Sequence, residues 1–306
     1  MIFYFNLNFI TMASEKVSSA PTPPTYGAAS DAASSASPSE KGTWVVRYFG
    51  APTRGEQVRL LFTLAEQTGA IAADGWIDEH IEPFPSGLNK YRRAEAGAET
   101  PLMFDQVPSI TSPDGVHVSQ TAAVMQYAAV ALGLAPSSPG DAARALALTL
   151  YSEELRGAVF YQLMIPTVVG KIGRRKCGGL LCALTSTVSC CWLRCRGVAK
   201  AASAKLVAAL PHLEAALREA NASDGELFFA GGAASYADVA LYDCLRESIA
   251  MVNENGPARS TAEWFETNAA SSPLLRAWFE QWEGRFATYI EARGEVLACI
   301  VDGFIE

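Results

Sequence analysis

The segment FDQVPSITSPDGVHVSQTAAV, residues 104–124, contains the residues whose types and spacing point to chemistry. Pro108 fixes its own φ angle and has no N–H, so it belongs at the first residue of a strand or in a turn. If its peptide bond to Val107 is cis, Val107 turns outward and leaves its N–H and C=O free to pair with an extended peptide. Gln120 and Thr121 then stand at a predicted helix start, where free N–H groups and the helix dipole favour a carboxylate. The segment therefore predicts a site for a peptide-like ligand with an anionic end.

A purely structural interpretation of the same segment is the alternative. Pro108 would then only shape a turn, and Ser119 would only cap a helix. The two motifs occur one hairpin apart, since a Ser112–Gly115 turn separates two short alternating runs. They also follow a first strand and helix in the order that such a site needs. Together these features favour the ligand-binding interpretation.

The elements that would position this segment form an α/β unit over residues 43–136. The predicted elements are strands at 43–49 and 76–81, a helix that ends near Gly69, the hairpin, and a helix to about Leu132. Thr53 and Glu56 have the Thr-x-x-Glu form of a capping box at the start of the first helix. The order β-α-β followed by β-β-α is typical of a small thioredoxin-like domain.

The pattern is helical throughout residues 141–296, which predicts a second, all-helical domain. The predicted helices cover 141–165, 199–220, the run VALYDCLRESIAM, and 272–293. Ser235 and Asp238 provide a Ser-x-x-Asp start signal for the third of these helices, so we interpret them as structural capping residues.

Composition limits the class of protein. The chain has 306 residues and is 50% hydrophobic, enough for a sizeable core and two domains. A net charge of -8 argues against a nucleic-acid binder, which would carry a basic surface. Five cysteines crowd into residues 177–195, and no disulfide framework is apparent, which suits a reducing compartment and predicts a cytoplasmic protein.

The first 42 residues are expected to be a disordered extension. Their first ten residues are apolar, but they are too short to span a membrane and lack the basic region of a secretory signal. A run rich in Ser, Ala and Pro follows, and such composition cannot build a core. Met12 is an alternative start of the protein.

At these motifs the sequence resembles the soluble glutathione transferases, over roughly residues 43–293 with one interruption. RYFGAPTRGEQVRLLF at 47–62 is similar to the first strand and helix of the tyrosine-dependent, sigma-like branch. FDQVPSI and SQTAAVMQYAA are similar to the glutathione-binding hairpin and helix, with Gln-Thr in place of the usual Gln-Ser. ELFFAGGAASYADVALYDCL at 226–245 resembles the signature of the helical domain.

The resemblance implies a role for each matching residue. The residues matched to glutathione-binding positions are Tyr48, Val107, Pro108, Gln120, Thr121 and Glu154. Tyr48 matches the catalytic tyrosine, whose phenol donates a hydrogen bond to the sulfur of glutathione and so favours the thiolate. Arg54 matches a second catalytic position, where its charge would assist the thiolate or a carboxylate of the ligand.

The resemblance also implies how each part of glutathione is bound. Val107 would pair with the cysteinyl backbone, with Pro108 as a cis proline, and Gln120 with Thr121 would bind the γ-glutamyl end. Glu154, in a run similar to the family's EDLR, is a candidate for the γ-glutamyl amine, either within one chain or across a dimer.

Alternatives stay open at three of these positions. Tyr48 would otherwise be an ordinary strand aromatic, and Glu154 a solvated helix residue. Thr53 is the rival hydroxyl, since other branches of the family use a Ser or Cys near that helix start. We favour Tyr48, because the capping box with Glu56 already gives Thr53 a structural role.

Two departures from the family pattern stand out. The Trp and Lys that usually bind the glycyl carboxylate in this family cannot be aligned with this sequence. Lys90, Arg92 and Arg93 are candidates to replace them, but we favour the interpretation of these three as a solvated charge cluster. A Cys-rich insertion at 171–197 interrupts the helical domain. We interpret it as a gene-model artefact or a disordered loop, with a membrane-touching or lipidated hairpin at 177–193 as the alternative. Its Cys spacing and the scattered histidines argue against a zinc site.

The sequence as a whole therefore predicts an enzyme that conjugates the glutathione thiolate to a small hydrophobic electrophile. A glutathione-dependent isomerase is a second enzymatic option, and a non-catalytic relative that binds ligands or serves as a structural module is the alternative from another class. Glutathione is expected as co-substrate, without a metal and without nucleic acid, and the family resemblance implies a homodimer.

Overall fold

A four-stranded sheet carries the N-terminal part of the fold. The computed structural model describes residues 42–81, 102–160, 162–163, 187–221, 225–254 and 260–293. The strands are β1 (Trp44–Phe49), β2 (Trp76–Ile81), β3 (Ser109–Thr111) and β4 (His117–Ser119). Their order in the sheet is β2-β1-β3-β4, with β2 parallel to β1 and both β3 and β4 antiparallel to their neighbours. The predicted hairpin is confirmed, and Gly115 supplies the positive φ of its turn.

Helices pack against the sheet and build the second part of the fold. They are α1 (Arg54–Gln67), α2 (Thr121–Ala131), α3 (Pro139–Ala158), α4 (Thr187–Ala220), α5 (Tyr236–Glu254), α6 (Thr261–Asn268), α7 (Pro273–Arg285) and α8 (Ala287–Arg293). A thioredoxin-like domain followed by a helical domain is thus the fold of the chain, as the sequence predicted.

Two helix predictions need correction. The predicted single helix at 272–293 is two helices, α7 and α8, which meet at Phe286. The disordered-loop interpretation of 171–197 is wrong for 187–197, whose backbone forms the first turns of α4. The rest of that insertion and the first 41 residues lie outside the described residues. In the part of the chain that is described, no helix combines the length and the apolarity of a membrane span.

The core is continuous from the sheet to the helical domain. In β1, alternate residues Trp44, Val46 and Tyr48 are buried, because one face of the strand packs against α1. The other side of α1 packs against α5, which is buried along most of its length. The start of α1 therefore lies where the two parts of the fold meet.

Candidate functional site

Tyr48 ends the buried face of β1 next to the start of α1. Its side chain is 7% exposed, and its hydroxyl lies 2.5 Å from the Thr53 hydroxyl. Burial raises the pKa of Tyr48, because the phenolate would lose its hydration, and this outweighs the hydrogen bond from Thr53 and the charge of Arg54. The phenol therefore keeps its proton near neutral pH and can act as a hydrogen-bond donor.

Gly55 makes room for the Tyr48 ring. A Cβ built at Gly55 would lie 2.2 Å from Cδ1 and 2.4 Å from Cγ of Tyr48, far inside van der Waals contact. The ring therefore rests on the bare backbone of the first turn of α1. This requirement for glycine was missed at the sequence level, although Gly55 directly follows Arg54 in the motif that was singled out.

The capping box predicted for Thr53 and Glu56 is wrong. Thr53 is the N-cap residue of α1, but its side chain makes no capping hydrogen bond. Its hydroxyl contacts Tyr48, and its backbone has φ 72° and ψ -144°. Glu56 is buried and accepts hydrogen bonds from the Tyr289 hydroxyl at 3.0 Å and from Arg293 at 3.2 Å. Both side chains thus serve long-range contacts, and the two rival hydroxyls, those of Tyr48 and Thr53, form one hydrogen-bonded pair.

Arg54 points to the helical domain. Its Nε donates to Glu153 at 2.9 Å, and the other oxygen of that carboxylate accepts from Gln57 at 2.7 Å. Glu154, the residue predicted from the EDLR resemblance, is exposed on α3. Glu153, its neighbour in the same run, is the residue that meets the first turn of α1, and sequence reasoning missed it.

Val107 and Pro108 lie just before β3. The peptide bond between them is cis, as the resemblance implied. The first paired residue of β3 is Ser109, opposite Arg47 of β1. Among the described residues, no hydrogen bond engages the Val107 main chain. An extended peptide laid beside Val107 could pair with both its N–H and its C=O.

Gln120 and Thr121 begin α2, as predicted. Gln120 is the N-cap residue with φ 75° and ψ 115°, and no side chain caps the helix. The interpretation of Ser119 as a cap is therefore wrong, since its buried hydroxyl has no partner among the described residues. The Gln120 amide donates to the Gln106 side chain at 2.5 Å. Gln106 belongs to the Gln-Val-Pro segment but was missed as a site residue.

Non-glycine residues with positive φ cluster around this site. In the described ranges they are Thr53, Phe104, Asp105 and Gln120. Thr53 and Gln120 are the N-cap residues of α1 and α2. Phe104 and Asp105 are consecutive and come just before Gln106. Such backbone conformations cost free energy and persist where the surrounding structure holds them, which is common at ligand-binding sites.

Ser235 and Asp238 are structural, as interpreted. The buried Asp238 carboxylate accepts hydrogen bonds from the Ser235 hydroxyl at 2.8 Å, from the Phe229 N–H at 2.9 Å and from the Trp278 indole at 3.2 Å. These bonds tie the start of α5 to the preceding loop and to α7.

Other predicted site elements are not placed. Lys90, Arg92 and Arg93 lie outside the described residues. Within the described ranges, no group of three or more His, Cys, Asp or Glu side chains is arranged to hold a metal ion.

Known structures share this fold. The glutathione S-transferase from Ascaris lumbricoides is 18% identical, with a TM-score of 0.55 over 83% of this chain and 99% of that chain. NaGST1 is also 18% identical, with a TM-score of 0.52 over 83% of this chain and 98% of its own. No protein-family model and no curated protein sequence matches the chain. The chain therefore has the glutathione S-transferase fold.

Proposed function

We propose that this protein is a glutathione transferase that activates the thiol of glutathione with Tyr48. The observation that carries the proposal is the register of the sheet, in which Arg47 of β1, Ser109 of β3 and Ser119 of β4 lie side by side. The residues next to these three are Tyr48, Pro108 and Gln120. The protonated phenol of Tyr48, the open main chain of Val107 and the N-terminus of α2 therefore lie at the same end of the sheet.

Each group at this end of the sheet suits one part of glutathione. The Val107 N–H and C=O would pair with the cysteinyl backbone, as an added strand does. The first N–H groups of α2 and the side-chain amide of Gln120 would bind the γ-glutamyl carboxylate, because no side chain caps the start of this helix. Tyr48 would donate a hydrogen bond to the sulfur and keep its own proton, which lowers the thiol pKa and increases the population of the thiolate near neutral pH.

The thiol proton would pass to solvent, and the bound thiolate would attack the electrophile to form a carbon–sulfur bond. In a substitution the electrophile then releases its leaving group as an anion, and in an addition the broken π bond leaves an anion that takes up a proton from water. An isomerase would use the same activated thiolate and release it unchanged. The rival proposal, a non-catalytic ligand-binding protein, is favoured by one observation: the Tyr48 hydroxyl is buried and bonded to Thr53.

Binding is tested by calorimetric titration of glutathione. Gln120→Ala should weaken binding by about 1–3 kcal/mol, the cost of losing charge-assisted hydrogen bonds at the γ-glutamyl end. Gln126→Ala is the matched control, since it removes the same side chain from the interior of the same helix. Equal affinities of the Gln120 variant and the wild type would contradict the proposed binding mode.

Catalysis is tested with Tyr48→Phe and a model electrophile. The variant keeps the ring, so folding and glutathione affinity should barely change. One hydrogen bond to an anion is worth about 1.5–3 kcal/mol, or roughly one to two pKa units on the thiol. Conjugation near neutral pH should fall about ten-fold or more, and the pH–rate curve should move upward. Glutathione binding without any conjugation in the wild type would instead support the non-catalytic alternative.

A further inference from the structure

A carboxylate from the helical domain reaches the start of α1. Glu247 of α5 is completely buried, and its Oε1 accepts a hydrogen bond from the Thr53 backbone N–H at 2.6 Å. The two residues are 194 positions apart in the sequence. A short hydrogen bond from an N–H to a buried carboxylate is among the stronger polar contacts in proteins.

This contact holds Thr53 in a conformation that it would otherwise avoid. With φ 72° and ψ -144°, Thr53 lies near a backbone region occupied almost only by glycine. The branched side chain makes the conformation still less favourable. A bond to its N–H therefore selects this conformation, and the conformation brings the Thr53 hydroxyl to within 2.5 Å of the Tyr48 hydroxyl.

Glu247 is itself fixed from the other side. Arg156 of α3 forms an ion pair with Glu247 and a second one with Asp243 at 2.8 Å, and all three side chains are completely buried. Tyr48 also lies in the field of Arg54 and Arg59 of α1, as well as Arg156. Thr53 thus connects the phenol of Tyr48 to a charged cluster inside the helical domain.

The direction of the hydrogen bonds follows from the proposed chemistry. A thiolate has no proton and can only accept a hydrogen bond, so the Tyr48 hydroxyl must be the donor to the sulfur. The Thr53 hydroxyl must then donate to the phenol oxygen, and a chain of two such bonds strengthens each of them.

We propose that Glu247 is a positioning residue for the thiol chemistry: it fixes Thr53, and Thr53 aims the Tyr48 hydroxyl at the sulfur of the bound substrate. This inference rests on the proposed function. It makes the site in the thioredoxin-like domain incomplete without the helical domain. It also gives Thr53 the role of a link between Glu247 and Tyr48, which differs from helix capping and from direct activation of the thiol by Thr53.

The test compares Glu247→Gln with Asp243→Asn. Both remove one buried negative charge from the same helix and leave Arg156 with the other carboxylate, but only Glu247 contacts Thr53. The measurements are ultraviolet titration of the thiolate of bound glutathione and the pH–rate curve for conjugation. For Glu247→Gln we expect both curves to move to higher pH and the rate near neutral pH to fall about ten-fold. Asp243→Asn should not move either curve to higher pH.

The direction of the shift separates positioning from charge. Removal of a nearby negative charge by itself would stabilise the thiolate and move the titration to lower pH. A downward shift in Glu247→Gln, or equal shifts in both variants, would overturn the proposal.

A double-mutant cycle supplies the second test. In the Tyr48→Phe background, Glu247→Gln should produce no further shift, because its effect passes through the missing hydroxyl. Additive shifts would contradict the proposal. If Tyr48→Phe alone does not shift the thiol titration, the proposed role of Tyr48 is wrong, and with it the proposed function. If Tyr48→Phe shifts the titration and Glu247→Gln does not, only the role of Glu247 fails.

A pair of substitutions at Thr53 keeps the proposal testable if Glu247→Gln does not fold. Thr53→Gly suits the backbone conformation and keeps the N–H but lacks the hydroxyl, so the thiol titration should move to higher pH. Thr53→Ser keeps the hydroxyl and should titrate like the wild type. Equal titration curves for these two variants would refute the chain from Glu247 through Thr53 to Tyr48.

Discussion

Gly55→Ala is the substitution that tests most directly whether the position of the Tyr48 ring matters. The added methyl carbon would lie 2.2 Å from Cδ1 of the ring. Carbon atoms in contact prefer about 3.5–4.0 Å, so the ring or the first turn of α1 must move by about 1.3 Å or more. The Tyr48 hydroxyl would move with the ring, away from Thr53 and from the proposed sulfur position.

Two quantities should change in consequence. A misplacement of about 1 Å in a reacting site can cost about 100-fold in rate, so conjugation should fall by roughly 10- to 100-fold. Overpacking of a buried contact costs about 1–3 kcal/mol, so the free energy of unfolding should decrease by that amount. Steady-state conjugation and urea unfolding at neutral pH measure the two effects.

Gly284→Ala in α7 is the matched control. A Cβ at Gly284 meets nothing within 4 Å. It should raise the free energy of unfolding by about 0.4–1 kcal/mol, through the lower entropy of the unfolded chain, and leave the rate unchanged. If Gly55→Ala keeps both the rate and the stability of the wild type, the clash with the Tyr48 ring is refuted. If the variant loses stability but keeps the rate, the link between ring position and thiol activation is refuted.

Two further predictions concern buried carboxyl groups of α5. Burial raises the pKa of Asp243 from 3.8 to about 6, an effect larger than the opposing charge of Arg156. The folded state therefore favours the protonated carboxyl of Asp243. This stabilisation is fully present below about pH 4, and the free energy of unfolding declines by up to about 3 kcal/mol as the pH rises through about 6. Urea unfolding from pH 4 to 7 should show this slope in the wild type, and Asp243→Asn should remove it. Asp238→Ala leaves the Phe229 N–H and the Trp278 indole buried without an acceptor, and it should lower the free energy of unfolding by at least about 3 kcal/mol. A loss below about 1 kcal/mol in urea unfolding would show that water replaces the carboxylate.

Local signals in the sequence were enough for most of the helices and strands. Alternation in β1 and β2, the turn residues before Gly115 and the helical spacing of α1 are all set by neighbours within a few positions. The same kind of signal was present but overlooked for α6. Ser260 caps that helix by accepting the Glu263 N–H at 3.1 Å, in a Ser-x-x-Glu pattern that the sequence displays.

The resemblance placed the candidate residues in the right elements but not always in the right contacts. Gln120 and Thr121 do start α2, and Val107 does precede β3. The partner of Arg54, however, is Glu153 on α3, and Glu154 points to solvent. One position along a helix turns a side chain by about 100°, so a motif alone does not say which of two adjacent acids faces inward.

The interior contacts of the site were decided by the tertiary structure alone. By sequence, Thr53 and Glu56 form a capping box, which contributes about 1 kcal/mol. In the folded chain, Glu56 is buried beside Tyr289 and Arg293, and the Thr53 N–H is bonded to Glu247. A buried carboxylate without donors costs more than a lost cap, so the charged groups take the partners that packing brings together. Local sequence signals were enough for most of the elements and for the residues at their ends, whereas the packing of the helical domain on α1 determined what holds Tyr48 in place.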